Sequence, residues 1–117
     1  MTSFPEEYEL LSFFEVDPKV LDEGIPWMYN SLTFEKLLEN ETLVCVFSPA
    51  YGEVDLKLIQ NGVDKLVLNL SAIDKIEILK EKKQEHLKIK FKEDVPFKNF
   101  LLAIKPEVRI IWGTAWR

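Results

Sequence analysis

One cysteine, one histidine, four scattered glycines and no long apolar run are what this 117-residue chain offers to the usual catalytic and binding motifs. Each scarcity closes a class. With Cys45 as the sole cysteine, no intramolecular disulfide can form, and its place within Leu43-Val44-Cys45-Val46-Phe47 predicts a buried, inert thiol. A structural zinc site takes about four Cys or His ligands, and one of each cannot supply it. Gly24, Gly52, Gly62 and Gly113 lie far apart, so neither G-x-G-x-x-G nor P-loop spacing exists and no phosphate cradle is expected. His86 opens a strand-like segment beside Glu85 and Lys88, with no spacing that ties it to Ser48, Ser71 or Cys45 as a nucleophilic pair. No metal, cofactor or catalytic residue is therefore expected. No stretch approaches the roughly 20 apolar residues of a spanning helix. The opening Met1-Thr2-Ser3-Phe4-Pro5-Glu6-Glu7 is acidic where a secretory leader is basic, so a reducing cytoplasm is the expected compartment.

What is present suits one folded unit. Hydrophobic residues make up 47% and charged residues 30%, and eight Phe, three Trp and three Tyr supply bulk for a core. The length matches a single domain over 1–117, since domains run about 100–150 residues. The net charge of −5 is unevenly divided. Residues 1–55 carry twelve acids against Lys19 and Lys36, a balance of −10, and residues 56–117 carry eight acids and thirteen bases, a balance of +5. Such asymmetry between halves points to an electrostatic binding surface, provided that the acids of the first half gather on one continuous patch.

Hydrophobic spacing predicts a helix over 3–15, opened by a Ser3-x-x-Glu6 capping box, with Phe4, Tyr8 and Leu11 on its apolar face, and stopped at Asp17-Pro18. Val20–Pro26 reads as a loop or short turn. From Trp27 the period becomes two, giving a strand over about 28–37. Thr42–Ser48 is apolar on both faces and reads as a central strand covered on both sides. Val54–Leu70 reads as a hairpin. A two-residue Asn61-Gly62 turn would set Leu58 against Lys65 and mismatch the faces, so a three-residue Gln60-Asn61-Gly62 loop pairing Leu56 with Leu66 is preferred. Ile73–Ile78, then Leu87-Ile89-Phe91 alternating with Lys88-Lys90-Lys92, make the next strands. Phe100–Ile104 is strand or helical turn, and Val108–Trp112 closes the sheet. The expected class is α+β: an N-terminal helix packed on a mostly antiparallel β-meander of six to eight strands.

Two surfaces invite a partner. Lys80, Lys82, Lys83, Lys88, Lys90 and Lys92 surround one hairpin, but the aromatic nearest them, Phe91, points to the opposite face, which argues against nucleic acid. The segment from Asp17 to Tyr29 joins Asp17, Asp22 and Glu23 to Trp27 and Tyr29, and Tyr51 stands beside Glu53 in the next turn. Tyr and Trp beside charge make interface anchors. For Trp27 and Tyr29 the preferred reading is filling between helix and sheet, with the anchor role as the alternative, whereas Tyr51 is expected to be exposed. These seven residues are the candidate partner-binding set.

In character, the stretches Glu15 to Tyr29 and Phe47-Ser48-Pro49-Ala50-Tyr51-Gly52-Glu53, about a third of a small acidic chain, resemble the immunity proteins of bacterial toxin–immunity systems. That resemblance implies a non-enzymatic protein that occupies a basic toxin domain, with no site residues transferred. Two other classes stay open: a small carboxylate-dependent enzyme, and an adaptor or structural protein of a bacterial or phage assembly. Oligomeric state has no signature in the sequence.

Overall fold

The computed structural model describes residues 3–81 and 83–114. One helix, α1 (Glu7–Phe14), precedes nine strands, among the described residues, that form two antiparallel sheets. The first sheet contains β1 (Lys19–Val20), β2 (Leu32–Leu37), β3 (Thr42–Ser48), β4 (Glu53–Gln60) and β5 (Val63–Leu70) in chain order. The second contains β6 (Ile73–Glu81), β7 (Gln84–Phe91), β8 (Phe100–Ala103) and β9 (Arg109–Ile111), again in chain order. Nine strands exceed the six to eight expected, and the expected meander holds within each sheet but breaks between β5 and β6. There Ala72 takes a left-handed φ of 56°, and the chain leaves one sheet for the other. One buried cluster draws on α1 and both sheets, from Phe34, Phe47 and Leu56 to Ile76, Ile89 and Phe100.

The helix is shorter than its sequence pattern and begins elsewhere. Glu6, not Ser3, is the N-cap; its side chain accepts from the backbone N–H of Glu9, and the Glu9 carboxylate takes the Glu6 N–H at 3.0 Å. Ser3 instead bridges to Lys75, and its carbonyl accepts the Ile76 N–H, so Ser3 lies along the β6 edge. The buried face is Leu10, Phe13 and Phe14. Tyr8, expected inside, sits about 200° around the helix from Leu10 and is exposed. Phe14 stacks on Phe34 at 4.6 Å and meets Phe47 edge-on at 6.0 Å, which fixes α1 to β2 and β3. Burying each such ring contributes about 1.5–3 kcal/mol. Glu15 ends the helix in a left-handed conformation, with its N–H donating to the Leu11 carbonyl.

The β4–β5 hairpin resolves the mismatch of faces in a way the sequence reading rejected. Asn61 and Gly62, both at positive φ, make the two-residue turn, and Gln60 pairs with Val63. An irregularity between Leu58 and Ile59 then leaves Lys65 unpaired as an extra residue, so Leu58 meets Leu66, Leu56 meets Leu68 and Val54 meets Leu70. A similar shift at Ile73/Lys75 lets Ile73 and Ile76, three apart, both face the core. β3 is central, between β2 and β4, but only Leu43, Cys45 and Phe47 are buried; Val44 and Val46 are half-buried on the outer face, so it is not covered on both sides. Residues 28–31, expected to begin a strand, instead include a 3-10 turn, Trp27–Tyr29, before β2 starts at Leu32. Phe100–Ala103 is a strand.

Candidate partner-binding surface

The row of residues at one end of the first sheet sets out the candidate surface. Val20 pairs with Leu32, Leu32 with Phe47, and Ser48 with Glu53. Two segments leave this row: the loop 21–31 between β1 and β2, and the 3-10 turn Pro49–Tyr51 between β3 and β4. The turns Trp27–Tyr29 and Pro49–Tyr51 lie against each other. Six of the seven candidate residues, Asp22, Glu23, Trp27, Tyr29, Tyr51 and Glu53, therefore stand at the same end of the sheet, while Asp17, ahead of β1, lines a cleft with Glu23 and Trp27.

The loop is held by a residue that sequence reading passed over. Asn30 is 7% exposed, the one buried polar residue among those described. Its Oδ1 accepts from the main-chain N–H of Leu21 (3.1 Å), Asp22 (3.2 Å) and Ser31 (3.0 Å). Its Nδ2 donates to the carbonyls of Asp22 (2.6 Å) and Ile25 (3.1 Å). One carboxamide thus satisfies both strands of the loop, as a buried polar group must. The Asp22 carboxylate takes the Gly24 N–H at 2.9 Å and tightens the tip. The sequence signal was there as Asp22-x-Gly24, a turn-forming spacing, followed by an asparagine just before an apolar alternation.

Trp27 anchors the loop to the core through Phe4, 6.5 Å away, which meets Phe47 edge-on at 5.9 Å. Its ring is partly buried, yet its indole Nε1 is enclosed without an acceptor among the described residues. Tyr29, expected to fill the gap between helix and sheet, is instead turned outward and 71% exposed, so the pair divides: Trp27 fills and Tyr29 projects. Tyr51 is 81% exposed, as expected, because Gly52 at φ 64° reverses the chain and brings its carbonyl to the Ile73 N–H. A β-carbon at Gly52 would stand at ordinary contact distance, 3.4 Å, from the Ile73 carbonyl, so it is the left-handed φ that calls for glycine here. Leu21, Ile25 and Met28 of the loop are exposed here too, an apolar concentration not expected from the sequence.

The acids at this end are left unneutralised. No ion pair among the described residues involves Glu7, Asp17, Asp22, Glu23 or Glu53; Lys19 is the base of the region. A cleft of about 390 Å³ opens between the start of α1 and the loop, with Glu7, Asp17 and Glu23 beside Val20, Ile25 and Trp27. The twelve acids of the first half do not, however, form one patch. Glu15 is paired with Lys105 and Lys36. Asp55 accepts from Asn69 at 2.7 Å. Glu39 and Glu41 line a separate cleft with Glu107 at the far end of the β2–β3 hairpin, roughly 20 Å away at about 3.3 Å per strand residue.

On the second sheet, Lys75 is set against Lys90 and Glu77 against Lys88, while Phe91 lies buried on the other side with Phe97 and Trp112. Lysines and aromatics thus occupy opposite faces. Lys82 lies outside the described residues. Cys45 is buried, and burial pushes its thiol pKa far up, consistent with an inert side chain.

No family model matches the chain, and no curated protein sequence matches it. A solved structure does: a chain of the contact-dependent growth inhibition toxin–immunity protein complex from Klebsiella pneumoniae 342 superposes with a TM-score of 0.83. The two share a fold. The match covers 97% of each chain at 16% identity. The likeness to a component of a toxin–immunity complex is therefore one of fold, over nearly the whole chain.

Proposed function

We propose that this chain is a non-enzymatic inhibitor of the immunity type, which binds a basic toxin domain through the end of the first sheet that carries Asp22, Glu23, Trp27, Tyr29, Tyr51 and Glu53, together with Asp17 of the adjoining cleft. The observation that carries the reading is the exposure of Tyr29 and Tyr51 among carboxylates without counter-charges. Exposed aromatics supply contact area at small entropic cost, and unneutralised charge steers an oppositely charged partner. The shared fold with a component of a toxin–immunity complex supports it. The sign of the free charge favours the inhibitor's role over the toxin's, since a cationic partner is what this surface complements. A single buried cysteine fits action in a reducing cytoplasm.

The test is association kinetics with the partner recovered from the native host by affinity purification. A toxin with a basic terminal domain should bind with an on-rate that falls about tenfold or more as salt rises from low to high ionic strength. Tyr29→Ala and Tyr51→Ala should raise the off-rate while leaving stability within about 0.5 kcal/mol. An on-rate indifferent to salt, or a partner belonging to a structural assembly, would remove the immunity reading in favour of an adaptor.

A further inference from the structure

The two sheets leave four strands at their edges, β1 and β5 in the first and β6 and β9 in the second. Three of them carry the usual protection against pairing with another chain. β1 and β9 are only two and three residues long. β6 is longer, but Ser3 bridges to it at Lys75, and Asp74, Lys75, Glu77, Lys80 and Glu81 spread charge along it. β5 is different. It runs for eight residues, and among the described residues its main chain bonds to no strand but β4. From Leu66 to Leu70 it carries no charge, and Val63 and Val67 are 53% and 47% exposed. Leu66 and Leu68 lie on the core face yet are only half-buried, so the core stops short of closure along this edge.

An open strand edge fits another extended strand, whose main chain completes the free N–H and C=O groups while alternate side chains meet. This edge is complementary to itself. Antiparallel pairing about Val67 sets Leu66 of each copy against Leu68 of the other on the inner face. On the outer face Val67 meets Val67, and Lys65 comes opposite Asn69. No like charges face each other, and Asp64 is already answered by Lys57 of β4 at 3.6 Å. One contact thus serves both copies, as a two-fold interface requires. We propose that two copies of this chain pair through β5, joining their first sheets into one continuous sheet. β5 is the edge opposite β1, so this pairing leaves the loop 21–31 free. The inference goes beyond the inhibitor reading and does not rest on it.

The full chain, without any other protein, should sediment as a dimer at about 100 µM. Val67→Lys points outward from the edge and sets two ammonium groups against each other, so it should give a monomer with an unchanged far-UV spectrum. Ile111→Lys, equally exposed but on β9, should remain dimeric. Hydrogen exchange of the unsubstituted chain gives a second readout that needs no variant. Amides all along Leu66–Asn69 should be protected, because those turned away from β4 bond to the other copy. A monomer at that concentration, or a dimer that Val67→Lys leaves intact, would overturn the inference. So would protection confined to alternate β5 amides, or protection that becomes complete only when a toxin is added, which would assign the edge to that toxin. The salt and tyrosine tests of the inhibitor reading concern the other side of the sheet and stand or fall separately.

Discussion

Asn30 is bonded to the main chain of Asp22 from both ends of its carboxamide, donating to the Asp22 carbonyl at 2.6 Å and accepting the Asp22 N–H at 3.2 Å. This double contact sets where the acidic tip of the loop stands relative to β2. Asn30→Ala leaves the Leu21, Asp22 and Ser31 N–H groups and the Asp22 and Ile25 carbonyls without that partner, and should lower stability by about 2–4 kcal/mol in urea unfolding. Asn30→Asp keeps the acceptor, loses both donors and adds a buried charge, and should be no milder. In either variant, partner affinity should fall further than in Asp22→Asn, because the whole loop shifts and not one charge.

The unpaired indole of Trp27 makes an asymmetric prediction. Trp27→Phe removes a donor that has no acceptor and keeps most of the ring against Phe4, so it should change stability by less than about 1 kcal/mol. Trp27→Ala removes the ring itself and should cost about 3 kcal/mol. Thermal or urea denaturation of the two variants side by side separates packing from hydrogen bonding at this position.

Ala72 holds a left-handed φ of 56° at the passage between sheets, and its carbonyl accepts the Lys92 N–H at 2.9 Å. A β-carbon in that region carries a steric cost of about 1–2 kcal/mol. Ala72→Gly should therefore stabilise the chain by a few tenths to about 1 kcal/mol after the added freedom of the unfolded state is counted. Ala72→Val should destabilise it by more than Ala72→Gly stabilises it. A denaturation midpoint that moves down in Ala72→Gly would mean that the strain is absent.

Glu15 closes α1 and is hydrogen-bonded to Lys105, which lowers its carboxyl below the ordinary value of 4.5; burial opposes this as the next effect in size, and the charges of Lys105 and then Lys36 add further lowering. Because the folded value lies below the unfolded one, the contribution to stability is present above the unfolded pKa and is lost as pH falls through the folded pKa. Lys105→Ala should raise the Glu15 titration midpoint, followed by NMR. The stability difference between this variant and the parent should shrink on acidification below the ordinary glutamate range.

Strands were legible in the sequence wherever one face is buried, because alternation then shows directly: Leu87, Ile89 and Phe91 are the clearest case, and all three are buried. The register of the β4–β5 hairpin was not legible. Two local preferences conflicted there, the Asn61-Gly62 turn and the matching of leucine faces, and the chain satisfied both by leaving out Lys65. The division into two sheets was hidden for a related reason. Ser71-Ala72 looks like any short turn, and only packing decides whether the next strand rejoins the sheet. At the candidate surface, the acidic and aromatic residues could be named from composition. Their assembly could not, since it depends on Asn30, whose five bonds reach across nine residues. Charge balance by halves was a poor guide to location: β2 and β3 carry acids to both ends of their hairpin, so an excess along the chain became two separate clusters in space.

Every strand in both sheets takes as its neighbour the strand before or after it in the chain. Hairpins of this kind close over short stretches of backbone, where the entropic penalty of joining ends is small. Each sheet can consequently zip up from its own turns without waiting for distant parts of the polypeptide. The step that demands long-distance search is the meeting of the two halves, which Phe14 serves by lying on Phe34 and Phe47 while Ser3 bridges to Lys75. Assembly kinetics should accordingly be most sensitive to changes in residues 3–15, which carry both contacts.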